Sequence, residues 1–157
     1  MSVSKVRFFL FSLLLAIGFG GCEKRDPTAL HKVHWDRDMC ERCKMVVSER
    51  HHAVQVINPQ TGRSYMFDDI GCTVLWFDEE KIEWADSAKI WITDAETGEW
   101  IDARTAFYDT YNITPMAYGL GAHKSKEGMK PELEILDYHA MIKRVKKIEE
   151  RNLKKSY

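Results

Sequence analysis

From Ala53 to Ile57 apolar and polar residues alternate, the two-residue period of a half-buried strand. Asn58-Pro59-Gln60-Thr61-Gly62 reads as a turn, and Arg63 to Phe67 as the returning strand. The pattern then changes period. Ile70, Val74, Leu75 and Phe77 fall on one side of a helix that Asp68 is placed to cap. The plan recurs downstream. Lys89 to Thr93 is strand-like, Asp94-Ala95-Glu96-Thr97-Gly98 is a turn, and Glu99 to Asp102 returns. The Thr-Gly pairs at 61–62 and 97–98 each sit between strand-like runs, which hints at an internal repeat. Pro115 to Leu120 has loop-plus-strand character, and Glu132 to Leu136 reads as a further short strand. Asp137 is a suitable N-cap for a last helix with Tyr138, Met141, Ile142, Val145 and Ile148 on one face. The expected fold class is therefore α+β: two small strand–strand–helix modules, over about 39–86 and 87–137, and a C-terminal amphipathic basic helix over 138–157.

The chain ahead of these modules has a different character. Lys5 and Arg7 precede an apolar run from Phe8 to Gly20, interrupted by Ser12. That run is shorter than the ~20 residues of a membrane-spanning helix and suits a secretory signal. Phe19-Gly20-Gly21-Cys22 resembles a lipobox, with Phe19 where Leu is usual. The expectation is a lipoprotein signal peptide over 1–21, lipidation of Cys22, and a polar tether over 22–38 that contains Pro27, His31 and His34. The mature chain would then sit on the periplasmic face of a bacterial membrane.

Composition adds little beyond this. The net charge is −1, and no basic stripe across the domain marks a nucleic-acid footprint. The last helix carries Lys143, Arg144, Lys146, Lys147, Arg151, Lys154 and Lys155. Such a face suits an anionic membrane surface, but Glu149 and Glu150 interrupt it, and a solvated outer face is the simpler expectation.

The candidate chemistry is sulfur. With Cys22 lipidated, Cys40, Cys43 and Cys72 remain, and an odd number of thiols cannot all pair within the chain. Cys40-x-x-Cys43 by itself fits half a zinc site, a thioredoxin-like dithiol or a soft-metal clip. Met45-Val46-Val47 after the pair favours a strand, whereas a reactive dithiol opens a helix. On an extended chain Cys43 and Met45 would share a face and offer two soft donors, which select Cu(I). Cys72 and a histidine are the residues that would complete a zinc set. Cys72 needs no role beyond that of a small buried residue. His51 and His52 would lie on opposite faces of a strand.

Several blocks in order carry a resemblance. Cys40-x-x-Cys43-Lys44-Met45, Phe67-Asp68-Asp69-Ile70-Gly71-Cys72, Trp100-Ile101-Asp102-Ala103 and Thr114-Pro115-Met116-Ala117-Tyr118-Gly119 resemble the successive motifs of the NosL family, the nitrous oxide reductase accessory lipoproteins. The resemblance implies a periplasmic Cu(I) chaperone without turnover, with a topology similar to the organomercurial lyase core. It implies apo nitrous oxide reductase as copper acceptor and a membrane copper exporter or assembly complex as donor. By motif position it implies Cys43, Met45 and Met116 as ligands, with Cys40 beside them. Some members keep only the second cysteine of the pair. His123, seven residues after Met116, is a candidate extra ligand. Members usually have Gly at the place of Lys44 and often at that of Ala117. Two other functions stay open: a thiol-dependent enzyme, organometal lyase or disulfide exchanger, using Cys40, Cys43 and Cys72, and a zinc-binding structural module.

Overall fold

The structure is a computed structural model that describes residues 26–127, 129–130 and 132–155. The expected signal peptide and the lipidation site Cys22 lie outside the described residues.

Strands β1 (Val54–Ile57), β2 (Ser64–Phe67), β3 (Lys89–Thr93) and β4 (Trp100–Asp102) form one antiparallel sheet in the order β2-β1-β3-β4. Val54 faces Phe67 on one side and Ile92 on the other, and Val56 faces Tyr65 and Ile90. Helix α1 (Ile70–Glu79) covers this apolar face. Its Trp76 ring lies 5.0 Å from Tyr65 and 5.2 Å from Phe67 between centroids. On the opposite face Gln55 stands beside Trp91 and Met66. Residues 28–38, expected as part of the tether, are laid along that face. His31 N donates to Gln55 Oε1 at 2.7 Å, Trp91 Nε1 donates to Thr28 O at 3.1 Å, and Trp35 stacks on Trp100.

The hinted repeat is visible as two turns of the same construction. Asn58 Oδ1 accepts from Gln60 N and Thr61 N, and Asp94 Oδ1 accepts from Glu96 N and Thr97 N. Gly62 (φ +70°) and Gly98 (φ +71°) then close each turn through bonds to Asn58 O and Asp94 O. Glycine takes this left-handed conformation without a Cβ clash. The two hairpins join edge to edge through β1 and β3, so they share one sheet.

Strands β5 (Phe107–Asp109) and β6 (Gly121–His123) form a second sheet. It is tied to the first at the Asp94 turn, where Ala95 N donates to Ala122 O and Lys124 N to Asp94 Oδ2. Within 132–136, only an isolated bridge from Leu136 to Tyr108 is seen, not a strand. Asp137 caps α2 (Tyr138–Lys155), with Ala140 N donating to its Oδ1 at 2.7 Å. Tyr138, Met141 and Val145 are buried at helical spacing, and the basic side chains face outward. No described helix is long and apolar enough to cross a membrane.

Candidate metal centre

The strand expected from Met45-Val46-Val47 does not form. Residues 38–47 fold back as a tight loop, closed by a Met39–Val46 bridge and by Val47 N to Asp38 O at 2.8 Å. Inside it, Cys40 N donates to Met45 O at 2.8 Å and Lys44 N to Cys40 O at 3.0 Å. Lys44 has φ +61°, so the chain is not extended between Cys43 and Met45, and the two side chains do not share a strand face. Cys43 is half-buried, whereas Met45 is 48% exposed at the loop's edge. Glu41 N donates to Met66 O at 2.8 Å and anchors the loop on β2.

The second half of the site comes from the start of α1. The helix is capped by Asp69, not by Asp68: Asp69 has extended backbone and its Oδ1 accepts from Gly71 N at 2.8 Å. That frees Asp68 to face the loop. Cys43 Sγ lies 3.4 Å from Asp68 Oδ2 and 3.6 Å from Oδ1. Cys72, in the first turn of α1, projects to the same place. The sulfurs of Cys40, Cys43 and Cys72 and a carboxylate oxygen of Asp68 all lie within 4.8 Å of one another. Cys40, Cys72 and Asp68 are almost wholly buried, and the three cysteines are free thiols.

The protons of this cluster are unevenly held. Cys40 is drawn down to about 6, foremost by the thiol hydrogen bond from Cys72 and, against burial, by the N–H groups of Cys43 and Asp68. Lys44 is not the cause; its Nζ turns toward Glu41 at 3.9 Å. Cys43 is pushed up to about 12 by burial and by the neighbouring Cys40 and Asp68. Cys72 is pushed up as the donor to Cys40 and by burial. Cys40 is therefore the thiol of the cluster that gives up its proton most readily, and Cys43 and Cys72 hold theirs. A metal ion entering it displaces the remaining protons, and Asp68 stands where the Cys43 proton can be received. Three sulfurs and one oxygen can hold a soft or borderline ion.

Met116 lies in the loop before β6, with its backbone beside the start of α1. Gly71 makes this possible: a Cβ there would stand 2.1 Å from the Tyr118 ring, which lies across the first turn of α1. Met116 N donates to Asp69 Oδ2 at 3.3 Å, so its backbone is fixed beside the residue that caps the helix carrying Cys72. Met116 is half-buried against the core. His123 lies elsewhere, on β6, with Nε2 3.2 Å from Asp109 Oδ2. His51 and His52 precede β1 in a bend rather than lying on a strand. The sequence reading brought Cys40 and Cys43 together but left out Asp68 and set Cys72 aside. The signal was present in Asp68-Asp69-Ile70-Gly71-Cys72, because moving the cap by one residue turns Asp68 into a free carboxylate beside the loop.

Arg42, between the two loop cysteines, locks the site to both helices. Its guanidinium reaches Glu79 Oε1 at 2.8 Å on α1 and Glu149 Oε1 at 3.1 Å on α2. Tyr118 closes the network by donating to Glu149 Oε2 at 2.9 Å.

No family model matches the sequence, and no curated protein matches it. Among solved structures, the chain is similar to the copper chaperone NosL from Shewanella denitrificans, with a TM-score of 0.53 at 14% identity. The likeness covers 75% of this chain and 88% of that one. The fold is NosL-like. At this identity the likeness speaks for the arrangement of the backbone. The thiol cluster on the NosL-like fold is what this chain itself contributes to a metal-binding reading.

Proposed function

We propose that this protein is a Cu(I)-binding chaperone, anchored through a lipidated Cys22 to the periplasmic face of a bacterial membrane, that supplies copper during maturation of nitrous oxide reductase. The observation that carries the metal-binding reading is the convergence of Cys40, Cys43 and Cys72 within 4.8 Å beside Asp68. Thiolates select Cu(I), and a thioether adds a soft donor that is not lost to a disulfide in an oxidising compartment. Met45, on the exposed rim, and Met116, beside Asp69, are the thioethers that complete the ligand set in this reading. Transfer proceeds by ligand exchange: an incoming sulfur of the acceptor adds to the low-coordinate ion before a chaperone sulfur leaves. Apo nitrous oxide reductase is the acceptor, and a membrane copper exporter or assembly complex is the donor. The test is anaerobic titration of the reduced chain lacking residues 1–22 against Cu(I) and Zn(II) chelators. One equivalent of Cu(I), held far more tightly than Zn(II), is expected. Tight zinc with feeble Cu(I) would leave the zinc-binding module as the reading.

The carboxylate beside Cys43 favours a second reading. An organometal lyase needs a proton carrier next to its thiols, and Asp68 occupies that position at 3.4 Å. Release of benzene from phenylmercury by the purified protein, lost in Asp68→Asn, would move the assignment to that enzyme.

A further inference from the structure

The three thiols of the cluster differ in what can reach them. Cys40 and Cys72 are wholly buried in the core, at 0% exposure each. Cys43 is half-buried, with its Sγ turned to the Asp68 carboxylate at 3.4 Å and 3.6 Å. The three sulfurs lie within 4.8 Å of one another, and all three thiols are free. A disulfide needs ~2.05 Å between its sulfurs, so a closure of ~3 Å at most joins two of them. The backbones that carry Cys40 and Cys72 are already fixed to one strand end. Glu41 N donates to Met66 O on β2 at 2.8 Å, and α1 starts at Ile70, shortly after β2 ends at Phe67.

Two pairings compete for Cys40. A bond to Cys43 closes only the Cys-x-x-Cys turn, the kind of pair that oxidoreductases make and break readily. A bond to Cys72 ties the loop to α1 and closes a segment of roughly 30 residues, and the constraint on the unfolded chain grows with the length closed. Burial points the same way. The bond to Cys72 joins two apolar-packed sulfurs and leaves Cys43 beside Asp68, where it already stands.

We propose that Cys40 and Cys72 pair as a disulfide when the site is empty, and that this bridge gates the metal centre by leaving Cys43 as its one thiol until the bridge is reduced. The oxidant is a disulfide-bearing thiol compound, the class that an oxidising compartment supplies. It meets Cys43 first, because the other two sulfurs are enclosed. Cys43 attacks the external disulfide, forming a mixed disulfide and releasing one thiol. Cys40 then attacks Cys43 Sγ and expels the second thiol, and Cys72 attacks Cys40 Sγ and sets Cys43 free. Two protein thiols have become one disulfide, the external disulfide has become two thiols, and the two protons have gone to them. An ion held by all three sulfurs binds only the reduced state and therefore opposes the bridge. The gating of copper rests on the chaperone reading; the bridge itself does not.

The test equilibrates the metal-free protein in mixtures of reduced and oxidised glutathione, blocks the remaining thiols with N-ethylmaleimide and maps the bridge by peptide mass spectrometry. A Cys40–Cys72 bridge with the blocking group on Cys43 is expected, in wild-type protein and without any substitution in the core. Cys43→Ser, at the half-buried position, should slow formation of the bridge at least tenfold while the final extent stays the same. A Cys40–Cys43 bridge at equilibrium, or blocking groups on all three cysteines under oxidised glutathione, would overturn the proposal. The bridged protein should hold Cu(I) at least tenfold less tightly than the reduced protein and recover on reduction; equal affinity in the two forms would overturn the gate. Failure of the reduced protein to take Cu(I) would count against the chaperone reading only, since the map reports the bridge without metal.

Discussion

Lys44 and Ala117 share a backbone conformation that neither side chain favours: φ is +61° at one and +59° at the other. One lies in the loop that carries Cys40 and Cys43, and the other follows Met116. Both are positions where the resembled family tends to have glycine, so the departure from the pattern stores local strain at the two loops bordering the site. The left-handed conformation costs an L-residue roughly 1–2 kcal/mol, partly offset by the extra chain entropy glycine loses on folding. Ala117→Gly and Lys44→Gly should each raise stability by about 0.5 kcal/mol, read as a higher denaturant midpoint at unchanged slope. Lys44→Ala keeps the Cβ and should give no such gain. A loss of stability in both glycine variants would show that these loops carry no strain.

Arg42 lies between the cysteines but points away from them, into a carboxylate pair built from two helices. Its side chain is 17% exposed and Glu149 is 23% exposed, so the pair is only partly screened. Hydrogen bonds to charged groups contribute about 1.5–3 kcal/mol when enclosed and less when solvent reaches them. Arg42→Ala should destabilise the protein by about 1–2 kcal/mol. It should also weaken metal binding, because the loop loses its fixed attachment to α1 and α2. Arg42→Lys should recover less than half of the stability, since an ammonium cannot bridge two carboxylates as a planar fork does. Metal affinity unaffected in Arg42→Ala would confine this network to holding the helices.

The first sheet and the last helix were legible because each element follows a single period: β1 to β4 and α2 lie within a residue or two of where alternation and helical spacing put them, whereas the three-residue strands β5 and β6 are too short to show a period. The paired turns were legible for the same local reason, Asn58 and Asp94 each preceding a Thr-Gly. The metal centre was legible only in part. Val46 and Val47 favour a strand, and the left-handed turn at Lys44 that makes the loop around Cys43 has no glycine to announce it. Two aspartates stand side by side at the helix start, and only the backbone decides that Asp69 and not Asp68 caps it. Cys72 joins the site through tertiary packing of α1 against the loop, which no spacing along the chain records.

The reduced, metal-free protein should show a stability maximum near pH 9. Cys40 has a native value of about 6 against an ordinary 9.0, so between these values the unfolded chain binds more protons and stability rises with pH. Below about 6 that contribution is gone. Cys43, raised to about 12, acts in the opposite sense: above 9.0 the unfolded chain releases a proton that the native state retains, and stability falls. Urea denaturation across pH 6 to 10.5 under reductant checks both arms. Cys40→Ser should remove the rising arm; if the rise survives unchanged, Cys40 is not the thiolate of the cluster.

Met116→Leu separates ligation from packing at the proposed donor that lies farthest in sequence from the loop. Leucine conserves the volume, and such swaps cost under ~1.5 kcal/mol in a core. The backbone bond from Met116 N to Asp69 Oδ2 does not depend on the side chain, so the loop should stay in place. Leucine offers no lone pair to a metal. Cu(I) affinity should therefore drop at least tenfold while the melting temperature moves by a few degrees at most. Met45→Leu, on the 48% exposed rim, should leave stability unchanged and slow transfer to a competing thiol chelator rather than abolish binding. Retained affinity in Met116→Leu with a lower melting temperature would place Met116 in the core, and the copper site would then be the three thiols and Asp68.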